Sequence, residues 1–357
     1  MTKIIGTIGP SSIQIDILKK LKSLGLNSFR INLSHSTEDL LDYYYSQFDL
    51  ANILPSLDTQ GAQIRISSLK KTNFNLLGEI VSIGLSTSPD FSCDIGLNHR
   101  EFFDQIDIGD EVKIGFDGLI VKIINLDKDC SQAKAKVLHG GDIELNKAID
   151  ISNKTIDLPP FTDFDINCIA NSLNHNVQEI FVSFCREKEC IDLLKKMLIQ
   201  SGWHDERLPK IIAKIENRQG LLNLGEIARA ADAILIDRGD LSREIRIAMI
   251  PGIVENIIFT CKKFDTPCYI ATNVLDSMMK EKLPSRAEIS DIYNLLSLGV
   301  SGFVLAAEVA IGNHPIESVE VIKYMCSVFF HQKSKTGIIP NPKEIVPTMN
   351  EPLKSWL

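Results

Sequence analysis

Charged residues follow two neighbouring apolar runs near the middle of the chain. Lys214 and Glu216 lie at the end of the run 211–215, and Asp240 comes shortly after the run 233–236. Continuous apolar runs of this length are typical of strands buried in a parallel sheet, with the charged residues at their carboxyl ends. Magnesium commonly binds one or two carboxylates and leaves its other positions to water and substrate. Glu216 and Asp240 therefore predict a site for Mg²⁺ or Mn²⁺, and the alternative is a surface salt-bridge network.

A polar face also marks the second predicted strand of the chain. Alternation along that strand places Arg30, Asn32 and Ser34 on one side and apolar residues on the other. Polar groups on a buried face are costly unless the face lines a site. The third predicted strand likewise ends in Asp58 and Thr59. These side chains extend the candidate site to the ends of two further strands.

Strands and helices alternate along most of the chain. Helices are predicted near 163–175, 187–201 and 220–230. Eight βα units close naturally into a barrel whose active site lies at the carboxyl ends of the strands. An open, doubly wound parallel sheet is the alternative. The eight predicted strands begin at or near Lys3, Ser28, Ile53, Glu179, Lys210, Ala233, Pro267 and Gly302.

The sequence pattern changes between residues 68 and 150. Short runs typical of β-strands alternate there with turns, and no amphipathic helix is predicted. We interpret this segment as a small β domain inserted into the αβ repeat. The predicted domains are therefore a barrel formed by 1–67 and 151–332, the insert at 68–150, and a polar, proline-bearing C-terminal tail at 333–357.

The amino-acid composition indicates which kinds of molecule the protein binds and in which compartment it lies. A formal net charge of −8 argues against a nucleic-acid-binding protein. No apolar run approaches the roughly 20 residues that a membrane span needs, and no signal peptide is recognised at the N-terminus. The eight cysteines form no CxxC pair, so reduced thiols are expected. We expect a cytoplasmic protein that binds small molecules and neither nucleic acid nor membrane, with a homo-oligomer left open.

Several motifs in a fixed order carry a resemblance to a known family. From residue 2 to about 325, the chain resembles the pyruvate kinase family. The resemblance implies an α/β fold, a (β/α)8 TIM barrel with a small β-barrel domain inserted after the third strand, and the absence of the family's C-terminal regulatory domain. The segments that carry it are TKIIGTIGPSS, FRINLSH, LDTQGAQIR, IGDEVKIGFDGLIV, KIIAKIENRQG, RGDL, TNVLDSMMK and PSRAEISDI.

The resemblance also assigns roles to individual residues. It implies catalytic roles for Lys214, Arg30 and Thr272, with the lysine stabilising the transferring phosphoryl group and the developing enolate. Glu216 and Asp240 would hold Mg²⁺ or Mn²⁺. Substrate binding falls to Gly239, Asp240 and Thr272. Nucleotide binding falls to Arg30, Asn32, His35, Arg65 and Lys147, and a K⁺ site to Asn32, Ser34, Asp58 and Thr59.

The chain departs from the family's motifs at positions expected to surround the small acid, which accepts either the proton or the phosphoryl group. Gln60 replaces a lysine, and Ala306 replaces a serine in the eighth-strand motif. Asp237 adds an acid beside the predicted metal site. We expect either a kinase that interconverts phosphoenolpyruvate and ADP with pyruvate and ATP, or a related enzyme that acts on another small carboxylic acid. A non-catalytic binding or regulatory protein is the third possibility.

Overall fold

The computed structural model describes residues 2–334 except 90, 116, 117 and 153. The strands are β1 (Lys3–Thr7), β2 (Ser28–Asn32), β3 (Pro55–Asp58), β4 (Ile66–Leu69), β5 (Asn73–Phe74), β6 (Ile80–Leu85), β7 (Ile95–Leu97), β8 (Glu111–Ile114), β9 (Leu119–Asp127), β10 (Gln132–His139), β11 (Gly141–Asp142), β12 (Ile149–Ile151), β13 (Glu179–Val182), β14 (Lys210–Ile215), β15 (Ala233–Asp237), β16 (Cys268–Ala271) and β17 (Gly302–Leu305). The α-helices are α1 (Ile15–Leu24), α2 (Glu38–Ala51), α3 (Glu101–Gln105), α4 (Asp163–Asn171), α5 (Lys188–Gln200), α6 (Arg218–Leu222), α7 (Leu224–Ala230), α8 (Arg238–Glu244), α9 (Ile250–Lys263), α10 (Arg286–Leu298), α11 (Ala307–Ala310) and α12 (Pro315–Ser334).

Eight parallel strands close into a barrel in the order β1-β17-β16-β15-β14-β13-β3-β2. The first strand meets the last, with Gly6 paired to Leu305. The predicted (β/α)8 barrel is confirmed, and the open-sheet alternative is wrong. Each predicted strand corresponds to an observed barrel strand, because the apolar runs that a parallel sheet buries on both faces are easily recognised in a sequence.

Two apolar layers fix the barrel. The inner layer fills the interior with side chains that include Ile5, Phe181 and Leu235. The outer layer lies between the strands and the surrounding helices. The packed interior makes the barrel a solid scaffold, so functional groups are confined to the strand ends and the loops that follow them.

Helix boundaries differ from the predictions at three places. The helix predicted near 220–230 is two helices, α6 and α7, which are separated at Asn223. The helix predicted near 163–175 ends earlier, at Asn171. The segment predicted to lack a helix contains the short α3, which buries Phe102 and Phe103.

The chain divides into two compact units. The first comprises residues 2–61 and 161–334 of the described chain, and the second is Ala62–Pro160. The insert predicted at 68–150 lies within this second unit. Of the tail predicted at 333–357, the first two residues end α12 and the others lie outside the described residues.

The second unit is a seven-stranded sheet with its own apolar core. Its order is β12-β8-β9-β10-β6-β7-β4, with a separate pair formed by β11 and β5. Hydrogen bonds from Ile66 N to Lys147 O (2.9 Å) and from Ile149 N to Ile64 O (2.9 Å) connect the two edges of the sheet. The sheet therefore curls on itself, as the predicted small β-barrel requires.

Within the first unit, one buried carboxylate holds the two chain segments that flank the second unit. Asp165 accepts hydrogen bonds from the backbone of Gln60 (2.7 Å), Gly61 (3.0 Å) and Thr162 (3.0 Å). The Thr162 hydroxyl also donates to Gln60 Oε1 at 2.9 Å. Both junctions are thereby fixed beside each other at the start of α4. Among the described residues, no helix is long and apolar enough to cross a membrane.

Candidate active site

A buried network of ion pairs lies at the carboxyl ends of β2, β3 and β14. Arg30 Nη1 donates to Asp58 Oδ2 at 2.8 Å, and Lys214 Nζ lies 3.1 Å from Asp58 Oδ1. Burial by itself would lower the pKa of Lys214, but the carboxylates of Asp58, Glu216 and Asp237 outweigh that effect and raise it. The lysine is therefore a fixed positive charge in a site that excludes water.

Ser183, which follows β13, completes the shell around this lysine. Its hydroxyl is 2.9 Å from Lys214 Nζ and 2.6 Å from Thr59 O. The hydroxyl has one proton to donate, so donation to the Thr59 carbonyl leaves a lone pair to accept from the ammonium. Asp58 and Ser183 thus accept hydrogen bonds from Lys214, and Glu216 lies beside the ammonium as a second carboxylate.

Glu216 is the most deeply buried acid of the candidate metal site. Its Oε2 accepts a hydrogen bond from Phe184 N at 2.6 Å, and Phe184 has a left-handed backbone with φ of 50°. Its Oε1 lies 2.9 Å from Lys214 Nζ, but the angles of that ion pair do not make a hydrogen bond, so this buried oxygen accepts none from the described residues. Burial raises the pKa of Glu216 to about 8, against the opposing effect of Lys214.

Three carboxylates converge at this point. One oxygen each from Glu216, Asp237 and Asp240 lies within 4.8 Å of the others. Divalent cations of the Mg²⁺ or Ca²⁺ type bind such oxygens at roughly 2.0–2.6 Å. The convergence of hard oxygen ligands and the Glu216 oxygen that accepts no hydrogen bond fit a divalent cation. Asp240 also lies 3.6 Å from Arg243 Nη1 and is partly exposed.

Asp237 caps the short helix α8. Its Oδ1 accepts hydrogen bonds from Gly239 N (3.1 Å) and Asp240 N (3.3 Å), and it lies 3.2 Å from Thr272 Oγ1. Gly239 N also donates to Thr272 Oγ1 at 2.9 Å. The three residues to which the resemblance assigns substrate binding are thus gathered around an internal carboxylate. Burial, and then the neighbouring Asp240, raise the pKa of Asp237.

The turn after β16 is strained and is held by an arginine. Thr272 and Asn273 have φ of 63° and 53°, in the left-handed region that a β-branched residue rarely enters. Arg238 donates to Thr272 O at 2.7 Å and to Asn273 O at 3.0 Å, and its Nη1 pairs with Asp291 at 2.7 Å. The guanidinium therefore keeps the Thr272 hydroxyl beside Asp237. Sequence reasoning gave Arg238 no role.

The predicted K⁺ ligands are all oxygen donors at neighbouring strand ends. Asn32 is paired with Asp58 in the register of β2 and β3, and its Oδ1 accepts from Ser34 N at 3.0 Å. Asp58 is already neutralised by Arg30 and Lys214, and Thr59 Oγ1 accepts from Ser183 N at 3.0 Å. A K⁺ site at these four residues stays a prediction.

The other predicted nucleotide-binding residues lie in two places. His35 is exposed at the end of the short 3₁₀ helix Leu33–His35. Arg65 and Lys147 belong to the second unit, where Arg65 donates to Asn146 O at 2.8 Å and Lys147 lies 3.3 Å from Glu144. Arg65 and Lys147 are on adjacent segments, because Arg65 forms a bridge with Ala148.

The altered eighth-strand motif is held by a buried glutamate. Glu308 accepts from Leu275 N at 3.1 Å and from Ala306 N at 2.8 Å. The backbone of Ala306 is therefore fixed even though the side chain offers no hydroxyl. Gln60, at the other departure, donates from Nε2 to Leu33 O at 3.0 Å.

Buried lysine, arginine and carboxylate groups lie together at the strand ends of a (β/α)8 barrel, where enzymes of this fold carry their active sites. A family model described as the pyruvate kinase barrel domain matches residues 1–319. The chain belongs to the pyruvate kinase family.

Individual relatives agree with this assignment. A pyruvate kinase of Methanocaldococcus jannaschii is 32% identical over 92% of the chain and 69% of its own length. Plastidial pyruvate kinase 3 of Arabidopsis thaliana is 30% identical over 90% of the chain. The chain spans 56% of the length of that plant relative. A solved pyruvate kinase of Cryptosporidium parvum superposes with a TM-score of 0.80 at 26% identity and covers 96% of this chain and 74% of its own.

Proposed function

We propose that this chain is a phosphotransferase that interconverts phosphoenolpyruvate and ADP with pyruvate and ATP. The observation that carries the proposal is the convergence of Lys214, Arg30 and the acids Glu216 and Asp240 at one end of the barrel. Phosphoryl transfer depends mainly on positioning and on electrostatic stabilisation of the equatorial oxygens. A buried ammonium and a buried guanidinium, held by Asp58, supply such stabilisation without reorganising during the reaction.

Each residue has a distinct part in this proposal. Glu216 and Asp240 would hold Mg²⁺ or Mn²⁺, which neutralises phosphoryl oxygens when it is bound. Lys214 places its charge toward the transferring group, and Arg30 contacts the phosphate. Thr272, whose hydroxyl lies beside Gly239 N, orients the small acid. K⁺ at Asn32, Ser34, Asp58 and Thr59 is a further part of the proposal.

The second unit is proposed to close over the nucleotide. The support is the resemblance, which assigns nucleotide contacts to Arg65 and Lys147, and the adjacency of these two residues within the unit. Asp165 holds the two chain segments that flank this unit beside each other. A cytoplasmic location and small-molecule partners belong to the same proposal.

A second candidate is a related kinase whose small acid is not pyruvate. The observation that favours it is the Asp237 carboxylate, which already accepts hydrogen bonds from Gly239 N and Asp240 N and lies within hydrogen-bond distance of the Thr272 hydroxyl. A substrate carboxylate that sought the same donors would have to compete with it. The loss of a hydroxyl at Ala306 changes the hydrogen-bonding demands of the pocket in the same direction.

The test is a phosphoryl-transfer screen of the purified chain. Phosphoenolpyruvate with ADP, and ATP with a panel of 2-oxo and 2-hydroxy acids, are assayed with Mg²⁺ and K⁺ against a reaction without protein, and Lys214→Met is the matched control of reduced activity. Turnover of phosphoenolpyruvate supports the first candidate, and preference for another acid supports the second. A wild-type chain with no activity above the protein-free reaction on every combination would overturn both candidates and leave a binding or regulatory role.

A further inference from the structure

Three acids, rather than the two that the resemblance assigns to the metal, surround the candidate cation position. The additional acid is Asp237, the last residue of β15, which is buried. Among the described residues, no cation lies within 4 Å of its carboxylate in an ion pair, whereas Glu216 meets Lys214 and Asp240 meets Arg243. The acid is therefore buried without a direct counter-charge.

Helix capping accounts for only one of the two oxygens of the Asp237 carboxylate. Every hydrogen bond described for Asp237 ends on Oδ1, from two backbone N–H groups of α8 and the Thr272 hydroxyl. Asparagine caps helices as well as aspartate does. A cap alone therefore gives no reason for a charged carboxylate on a residue that is only 7% exposed, because a buried charge without a counter-charge is costly.

The carboxylate oxygens of Glu216 and Asp240 lie close enough to Asp237 for one cation to contact all three acids. Asp237 offers an oxygen within 4.8 Å of those of Glu216 and Asp240. Glu216, a member of the same cluster, has a buried oxygen, Oε1, that lies near Lys214 but accepts no hydrogen bond from the described residues. A cation between these oxygens would neutralise the unpaired acid and satisfy the unbonded oxygen at once.

We propose that Asp237 is a third carboxylate ligand of the divalent cation, so that this chain binds the metal through Glu216, Asp237 and Asp240. The inference rests on the metal site of the proposed function and extends it. A cation with three protein carboxylates keeps fewer positions for water and substrate, and its charge is more completely neutralised. The metal should therefore bind more tightly without substrate and attract an anionic substrate less strongly than in a site with two acids.

The experiment measures Mn²⁺ binding to the full chain without substrate. The affinity is obtained by calorimetry, and the number of bound waters is obtained by electron paramagnetic resonance in ¹⁷O-labelled water. Asp237→Asn keeps the cap acceptor and removes the charge. Asp192→Asn removes a half-exposed carboxylate that pairs with Lys188 outside the cluster and is the matched control.

We expect Asp237→Asn to lower the Mn²⁺ affinity on the order of tenfold or more and to add one water to the metal, with no change in Asp192→Asn. A lower affinity with an unchanged water count would assign Asp237 only a long-range charge effect and overturn the ligation. Unchanged affinity would make Asp237 a cap alone. In both cases the metal site of Glu216 and Asp240 stands, whereas a wild-type chain that binds no Mn²⁺ would remove the metal from the proposed function as well.

Discussion

Lys214 and Asp58 are joined by a buried ion pair of 3.1 Å although 156 residues separate them in sequence. Asp58 also pairs with Arg30 at 2.8 Å, so one carboxylate holds both cations that the proposed reaction requires. The position of each cation thus depends on the acid, and the acid depends on both cations for its neutralisation.

Replacement of Asp58 by asparagine should destabilise the barrel. Removing one partner of a buried ion pair leaves an uncompensated charge and costs about 3–5 kcal/mol in typical cases. Urea unfolding monitored by circular dichroism measures the loss. Lys188→Met, which removes an exposed ion pair to Asp192, is the control and should change stability by less than about 1 kcal/mol. Similar small changes in both variants would show that Asp58 does not hold the cations.

Lys214→Met should reduce turnover by about 10²–10³-fold, which is the usual effect of losing an electrostatic donor to the transition state. The Mn²⁺ affinity should change far less, because the acids of the metal site remain. Steady-state kinetics and calorimetry on the same preparation give the two numbers. Full activity with every accepted substrate would make this lysine structural.

Arg238→Lys should weaken the turn that carries Thr272. Lysine keeps the charge for Asp291 but cannot reproduce the forked donation to the carbonyls of Thr272 and Asn273. We expect a loss of about 1–3 kcal/mol in unfolding free energy and a higher KM for the small acid. An unchanged KM together with reduced stability would restrict Arg238 to a structural role.

Metal affinity should rise with pH between about 6 and 8. The pKa of Glu216 is raised to about 8 in the metal-free protein, so the carboxyl is largely protonated at neutral pH and a metal must displace that proton. Calorimetry at pH 7 in buffers of different ionisation enthalpy should detect proton release, which Glu216→Gln should reduce. Release of the same number of protons by that variant would contradict the assignment.

Much of the architecture follows from the sequence, but the contacts that complete the site do not. The barrel strands are recognisable because most are short apolar runs and β2 alternates polar with apolar residues. The roles of Ser183, Arg238 and the Asp237 carboxylate depend instead on partners 31–35 residues away, such as Lys214 and Thr272. Thr272 presents its hydroxyl only because its backbone is left-handed, which no residue preference of threonine predicts.

Deletion of the second unit should leave a folded barrel that binds Mn²⁺ and transfers little phosphate. Asp165 holds Gln60, Gly61 and Thr162 together, so a short glycine–serine linker from Gly61 to Phe161 can replace residues 62–160. Circular dichroism and Mn²⁺ titration test the barrel, and the transfer assay tests the proposed lid. Normal turnover in the deletion variant would rule the lid out.

The pairing of β1 with β17 also governs when the protein can acquire its fold during synthesis. The ring of strands closes through residues 3–6 and 302–305. The amino-terminal strand β1 can therefore pair with β17 only after nearly all of the described chain has been synthesised. Contacts of such long sequence separation slow folding and leave an unpaired strand edge exposed in the meantime. A nascent chain that stalls before Gly302 therefore presents an open, aggregation-prone sheet, and chaperone dependence should disappear only when the last strand has left the ribosome.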